Sequence, residues 1–158
     1  MKDLTTSIYI FEDIIQGNFL YVDKTEFIWQ LVMPAKEMYF LSRPRRFGKS
    51  LTVSTLKAVF EGKKELFKGL AIYDKPYDWK PHPVIKLDMN GRDFSTLEKM
   101  EDSLRHILLE QADFNKVSLK EISSNAMFHE LIKTLHDTKG DVVILLDEYD
   151  KPILNNIS

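Results

Sequence analysis

Gly48-Lys49-Ser50 is the tripeptide of this sequence whose residue types are best suited to gripping a phosphate. A lysine ammonium reaches the outer oxygens of a polyphosphate, a serine hydroxyl ligates Mg²⁺, and the open amides of a helix N-terminus face the anion. The tripeptide ends the run Met38-Tyr39-Phe40-Leu41-Ser42-Arg43-Pro44-Arg45-Arg46-Phe47-Gly48-Lys49-Ser50-Leu51, which reads as a short apolar strand, a cationic loop and a helix start. From Arg43 to Lys49 the loop carries four cations and no acid. Polyphosphate is a natural counterion for it, because guanidinium groups grip phosphate oxygens in pairs. Such loops usually open with a glycine five residues before the glycine of Gly-Lys-Ser. Here that position is Arg43, where a positive φ is costly, and Pro44 stiffens the chain next to it. Two plainer readings stand beside this one: a basic helix cap for the segment as a whole, and solvated loop charge for Arg45 and Arg46.

Gly-Lys-[Ser/Thr] arises by chance in roughly one chain of this length in ten, so a second feature has to support it. Val142-Val143-Ile144-Leu145-Leu146-Asp147-Glu148 is an aliphatic run that ends in two carboxylates. This is the form of a Walker B strand: the Asp at the strand end orients the Mg²⁺ shell and the adjacent Glu polarises an attacking water. Asp147 alone would be explained equally well as the cap of a following helix. Lys49 and Asp147 in one chain, in a strand-and-helix pattern, favour a nucleotide site.

The elements that must position these residues are legible in outline. Residues 8 to 16 suggest a short amphipathic turn that stops at Gly17-Asn18. Asp23-Lys24-Thr25-Glu26 has the form of a capping box, with Asp23 as N-cap and Glu26 three residues on. The helix it opens has an apolar face of Phe27, Ile28 and Leu31 and cannot continue past Pro34. Leu51, Leu56, Val59 and Phe60 predict a helix after Gly48 that runs to Gly62. The stretch from 69 to 83, with Gly69, Pro76, Pro81 and Pro83, is a connection leading to a strand at Val84-Ile85-Lys86-Leu87-Asp88. Spacings of three and four predict helices through Leu97–Leu108 and Met127–Leu135, the second capped at Gly140. The run from Val142 to Leu146 has the character of a strand buried on both faces of a parallel sheet. Strands alternating with helices give an α/β class.

Composition narrows the rest. A chain of 158 residues, 44% hydrophobic and 29% charged, is sized for a single soluble domain. A net charge of −2 supplies no general attraction to nucleic acid, and no such surface is read beyond the phosphate loop. With no cysteine, disulfides, thiolate metal sites and cysteine nucleophiles are excluded. The first ten residues lack a signal-peptide core, and the longest aliphatic run is too short to span a bilayer, so a cytoplasmic location is expected. His82, His106, His129 and His136 show no metal-ligand spacing. Trp29 and Trp79 read as packing anchors.

Five blocks then occur in a familiar order: Tyr21-Val22-Asp23-Lys24-Thr25, Arg43-Pro44-Arg45-Arg46-Phe47-Gly48-Lys49-Ser50-Leu51, Leu66-Phe67-Lys68-Gly69-Leu70, His82-Pro83-Val84-Ile85, and Leu146-Asp147-Glu148-Tyr149-Asp150-Lys151-Pro152. They resemble the prokaryotic AAA-ATPase-like family, whose longer members usually carry a C-terminal nuclease-like domain of the PD-(D/E)XK type. The likeness runs from about Tyr9 to the last residues. It implies a three-layer P-loop NTPase fold of the AAA-like kind, a parallel sheet flanked by helices. It implies ATP and Mg²⁺ as ligands, with Arg43, Pro44, Arg45, Arg46, Phe47, Gly48, Lys49, Ser50 and Leu51 around the nucleotide. Lys49 serves the phosphates, Ser50 and Asp147 the metal, and Glu148 is the catalytic base. Arg43 in place of the first glycine is then the family's own spelling. The segment Tyr21–Lys24 would lie near the adenine, although the capping box already gives it a structural use.

In P-loop ATPases with an Asp-Glu signature, a later strand lies between the two motif strands and ends in a polar sensor. The sequence has no such strand after Asp150, so residues 1–158 read as the N-terminal part of the domain, a fragment ending after the Walker B strand. Sensor, arginine finger and nuclease motifs are not assignable, and self-association or a nuclease-like domain is a partner only by resemblance. The leading expectation is an ATP-binding, Mg²⁺-dependent ATPase, with hydrolysis belonging to the intact protein. The alternatives are a nucleotide-gated interaction domain that does not hydrolyse, or an inactive remnant. A small-molecule kinase is disfavoured by Glu148, which suits water activation better than a substrate hydroxyl.

Overall fold

The computed structural model describes residues 3–4, 7–34, 38–42, 44, 47–120 and 123–154. They divide into two compact units, Met1–Pro81 and His82–Ser158, each with its own apolar core.

The first unit holds helices α1 (Phe11–Gln16), α2 (Thr25–Val32) and α3 (Lys49–Phe60), followed by a 3₁₀ turn at Lys64–Phe67. Phe11, Ile28, Ala58, Val59, Phe67, Ile72 and Trp79 are buried together at its centre. Phe11 stacks on Phe67 with ring centres 4.7 Å apart, and Phe67 meets Trp79 at 5.1 Å. The aromatic core confirms Trp79 as a packing anchor. Ser54 Oγ accepts the Phe11 amide at 2.9 Å, fastening α1 to α3. An ion pair between Lys63 and Glu12 ties the turn after α3 back to α1.

The capping box is replaced by a different device. The helix begins at Thr25, with Lys24 as the cap residue. Asp23 Oδ1 accepts both the Thr25 amide (2.8 Å) and its hydroxyl (2.7 Å), while Oδ2 accepts the Ala71 amide at 2.8 Å. The fully buried Thr25 hydroxyl accepts the Ile72 amide at 3.0 Å. Glu26 turns instead to Lys75, 2.8 Å away. A carboxylate that can satisfy two segments of backbone at once serves the fold better here than one that closes a local box.

Burial alone would push the Asp23 carboxyl up, but the hydrogen bonds from the Thr25 and Ala71 amides and the Thr25 hydroxyl outweigh it and hold the group below 3.8. Its contribution to stability is therefore present above the unfolded-state value and is lost as pH falls through the lower folded-state value. In acid denaturation followed by circular dichroism, Asp23→Asn is expected to lower stability at pH 7 by about 0.5–1 kcal/mol, since solvent screens this exposed carboxylate, with the gap to wild type closing below about pH 4.

The second unit has strand β1 (Val84–Asp88), helices α4 (Leu97–Asn115) and α5 (Ser124–Lys139), strand β2 (Val143–Asp147) and the short helix α6 (Lys151–Leu154). The strands pair in parallel, with Val84 opposite Val143 and Asp88 opposite Asp147. A parallel pair needs a long crossover, supplied here by the two helices. Thr96 and Ser123 cap α4 and α5 by accepting the Lys99 and Ala126 amides. Ile85, Leu87 and Met89 pack with Ile107, Leu108, Met127, Leu131 and Leu135 into one core.

The outer edge of β1 is closed by α4. Gln111 Oε1 accepts the Lys86 amide at 2.8 Å, and Asn115 Nδ2 donates to the Val84 carbonyl at 3.3 Å. Side chains thus occupy positions another strand would fill, a recognised way of managing a sheet edge.

Two further expectations fail. Met38–Leu41 lies outside the sheet; Met38 is fully exposed and Phe40 72% exposed. A four-residue apolar run does not hold strand geometry by propensity alone. Nor is β2 buried on both faces, since Ile144 and Leu146 are 39% and 49% exposed. They share a face with their register partners Ile85 and Leu87, but the α4–α5 pair packs over β1. Among the described residues the parallel sheet therefore has two strands flanked by helices.

Candidate functional site

In the first unit, Gly48 is the cap residue of α3 with φ +72°, ψ 25°. A Cβ there would meet nothing within 4 Å, so the left-handed dihedral alone calls for glycine. The Gly48 carbonyl accepts the Thr52 amide and the Thr52 hydroxyl, both at 2.9 Å. That closes the first turn and leaves the amides of Lys49, Ser50 and Leu51 at the helix mouth, positions with no partner inside a helix. No acidic residue lies in that turn, so nothing there offsets the positive end of the helix dipole.

The rest of α3 is anchored. Thr55 donates to the Leu51 carbonyl at 2.8 Å, Leu51 and Leu56 pack against the core, and Ala58 and Val59 are buried in it. Lys49 and Ser50 are part-exposed, while Pro44 and Phe47 are exposed. Arg43, Arg45 and Arg46 lie outside the described residues.

Tyr21 and Asp23 have structural employment. Tyr21 meets Phe11 edge-on at 5.2 Å; burial pushes its hydroxyl up although a hydrogen bond with Thr55 opposes that. Asp23 is engaged by the Thr25 and Ala71 backbone.

In the second unit, Asp147 ends β2 at 3% exposure. Its Oδ1 accepts the Glu148 amide at 3.1 Å, and its carbonyl accepts the Met89 amide at 3.2 Å. Glu148 has φ +55°, the left-handed region. A non-glycine residue held there costs about 1–3 kcal/mol and marks a turn determined by its surroundings. The Glu148 carbonyl in turn accepts the Lys151 amide at 3.1 Å. A buried aspartate followed by a part-exposed glutamate on a tight turn can serve as a hard-oxygen ligand and a proton acceptor.

Residue patterns gave no warning of the left-handed Glu148 or of the Lys151 ammonium bonded to Asn90 Oδ1 at 2.5 Å. These partners are sixty-one residues apart. The Asn90-Gly91 pair signals a turn, not its partner.

The family model described as a predicted AAA-ATPase matches residues 5–158. The chain belongs to the AAA-ATPase-like family. It is also 39% identical over 160 residues to an uncharacterized protein in the vnfD 5' region of Azotobacter chroococcum mcd 1. That alignment covers 99% of this chain and 31% of the relative, so the AAA-ATPase-like chain spans about a third of the relative's length. No solved structure matches. Among the described residues no helix is long and apolar enough to cross a membrane.

Proposed function

We propose that this AAA-ATPase-like chain binds ATP through residues 43–51 and, as part of the longer family protein, supports its Mg²⁺-dependent hydrolysis in the cytoplasm. The observation that carries the reading is the acid-free mouth of α3, opened by a left-handed Gly48 with Lys49 and Ser50 in its first turn. Helix amides and a lysine together make a polyphosphate site. Arg43, Arg45 and Arg46 add guanidinium donors of the kind that grip phosphate oxygens.

The donor chemistry suits Mg²⁺. Among the described residues no three His or carboxylate side chains gather as a metal cage. Mg²⁺ is commonly held by one or two protein oxygens with phosphates and water, and Ser50 Oγ and the Asp147 carboxylate are oxygens of that kind. When bound, the ion neutralises charge developing on the transferred phosphoryl group. Lys49 holds the outer phosphate oxygens. Glu148 accepts a proton from the attacking water and keeps that water aligned. The α/β unit is part of a three-layer P-loop sheet in the longer protein.

The test is thermal unfolding and phosphate release with ATP and Mg²⁺, on this chain and on the full-length protein. Both are expected to show an ATP-dependent rise in melting temperature. Release is expected from the longer protein and to stop with EDTA. An absent thermal response in both proteins would refute nucleotide binding.

A further inference from the structure

We infer that Asn90 is a positioning residue that holds the Glu148 turn in its left-handed form; its consequence for turnover rests on the proposed role of Glu148 as proton acceptor. Glu148 occupies a costly dihedral, and the contacts around the turn have to offset that cost. The Glu148 amide is bonded locally to Asp147 Oδ1 at 3.1 Å, and three further points hold the turn. Met89 donates its amide to the Asp147 carbonyl immediately before it, and Lys151 donates its amide to the Glu148 carbonyl immediately after it. The third point is the Lys151 ammonium on Asn90 Oδ1 at 2.5 Å, a charge-assisted contact.

Asn90 is itself fixed. Its amide donates to Asp88 Oδ1 at 2.9 Å, and Asp88 Oδ2 pairs with Lys86 Nζ at 3.1 Å. The segment 86–90 therefore forms a polar chain at the C-terminal end of β1 that reaches across to the turn following β2. Adjacent residues of one short segment, Met89 and Asn90, grip both flanks of Glu148, one by backbone and one by side chain. The side-chain grip requires an acceptor at position 90. An aspartate would serve as well; an alanine would not.

The experiment compares Asn90→Ala, Asn90→Asp and Lys151→Met with the wild-type full-length protein. It uses steady-state ATP turnover and amide hydrogen exchange across residues 147–151. Asn90 is exposed, so folding is expected to survive, and circular dichroism checks this. The contact is a solvent-exposed charged one, so a change of about fivefold is expected. Asn90→Ala and Lys151→Met are expected to lower kcat by that factor with KM unchanged and to speed exchange of the Lys151 amide. Asn90→Asp is expected to restore both. Unchanged exchange in Asn90→Ala, or Asn90→Asp behaving like Asn90→Ala, would overturn the inference. A wild-type protein without turnover would count against the hydrolysis reading alone, because the exchange measurement still decides whether Asn90 holds the turn.

Discussion

Lys49→Ala is expected to abolish the thermal stabilisation that ATP confers. At ATP a hundredfold above its dissociation constant, wild-type binding adds about 2.7 kcal/mol to stability. For a chain of this size that is a rise of roughly 5–10 °C. Losing the ammonium proposed to neutralise the outer phosphates, and with it a hundredfold in affinity, would leave about 0.4 kcal/mol, a shift of roughly 1 °C. The substitution itself is mild. Lys49 is part-exposed in the first turn of α3, among the described residues no carboxylate pairs with it, and alanine is a strong helix former. Differential scanning fluorimetry with and without ATP separates the two effects, because the apo melting temperature should stay near wild type. An intact ATP response in Lys49→Ala would remove the loop from the nucleotide site.

Glu148→Gln is expected to leave ATP affinity within about twofold of wild type while lowering kcat by about 10²–10⁴ in the full-length protein, the usual contribution of a positioned general base. Glutamine matches the shape of glutamate and the amide still donates to Asp147 Oδ1. What disappears is a group able to take the proton. Glu148 already bears the left-handed strain and a glutamine of the same shape would bear a similar one, so the turn should persist. Single-turnover phosphate release together with equilibrium binding of a fluorescent ATP analogue reads the two effects apart. A fall in affinity parallel to the fall in rate would mean that Glu148 serves binding instead.

Local pattern explains the successes of sequence reasoning. Val84–Asp88 is a strand as expected, because an apolar run following Pro83 allows little else. The run at the second strand lies one residue later than the aliphatics suggest, at Val143–Asp147. Helix spacing located α4 and α5, and Gly140 ends α5 with φ +90°. Helix α3 begins at Lys49 because Gly48 can take a positive φ and the residues after it repeat at three and four. The failures arise where a partner distant in sequence decides. Asp23 and Glu26 fit a capping box by spacing, but Ala71 and Lys75 compete for those carboxylates and win. Met38–Leu41 has strand composition, but among the described residues it pairs into no ladder. Ile144 and Leu146 are aliphatic, yet the helix pair settles on β1.

By itself the sequence determined which atoms are available for chemistry: an ammonium and a hydroxyl after a glycine, and two carboxylates after an aliphatic strand. Residue identity carries that, because phosphate, Mg²⁺ and water each demand particular donors and acceptors. Only the tertiary structure decided how those groups are held. It set the left-handed glutamate fixed from both flanks, the sheet edge closed by Gln111 and Asn115, and the aspartate at position 23 spent on backbone amides. Each of these depends on a hydrogen bond between residues far apart in the chain. Pairings of that kind are chosen by packing, which no local spacing records.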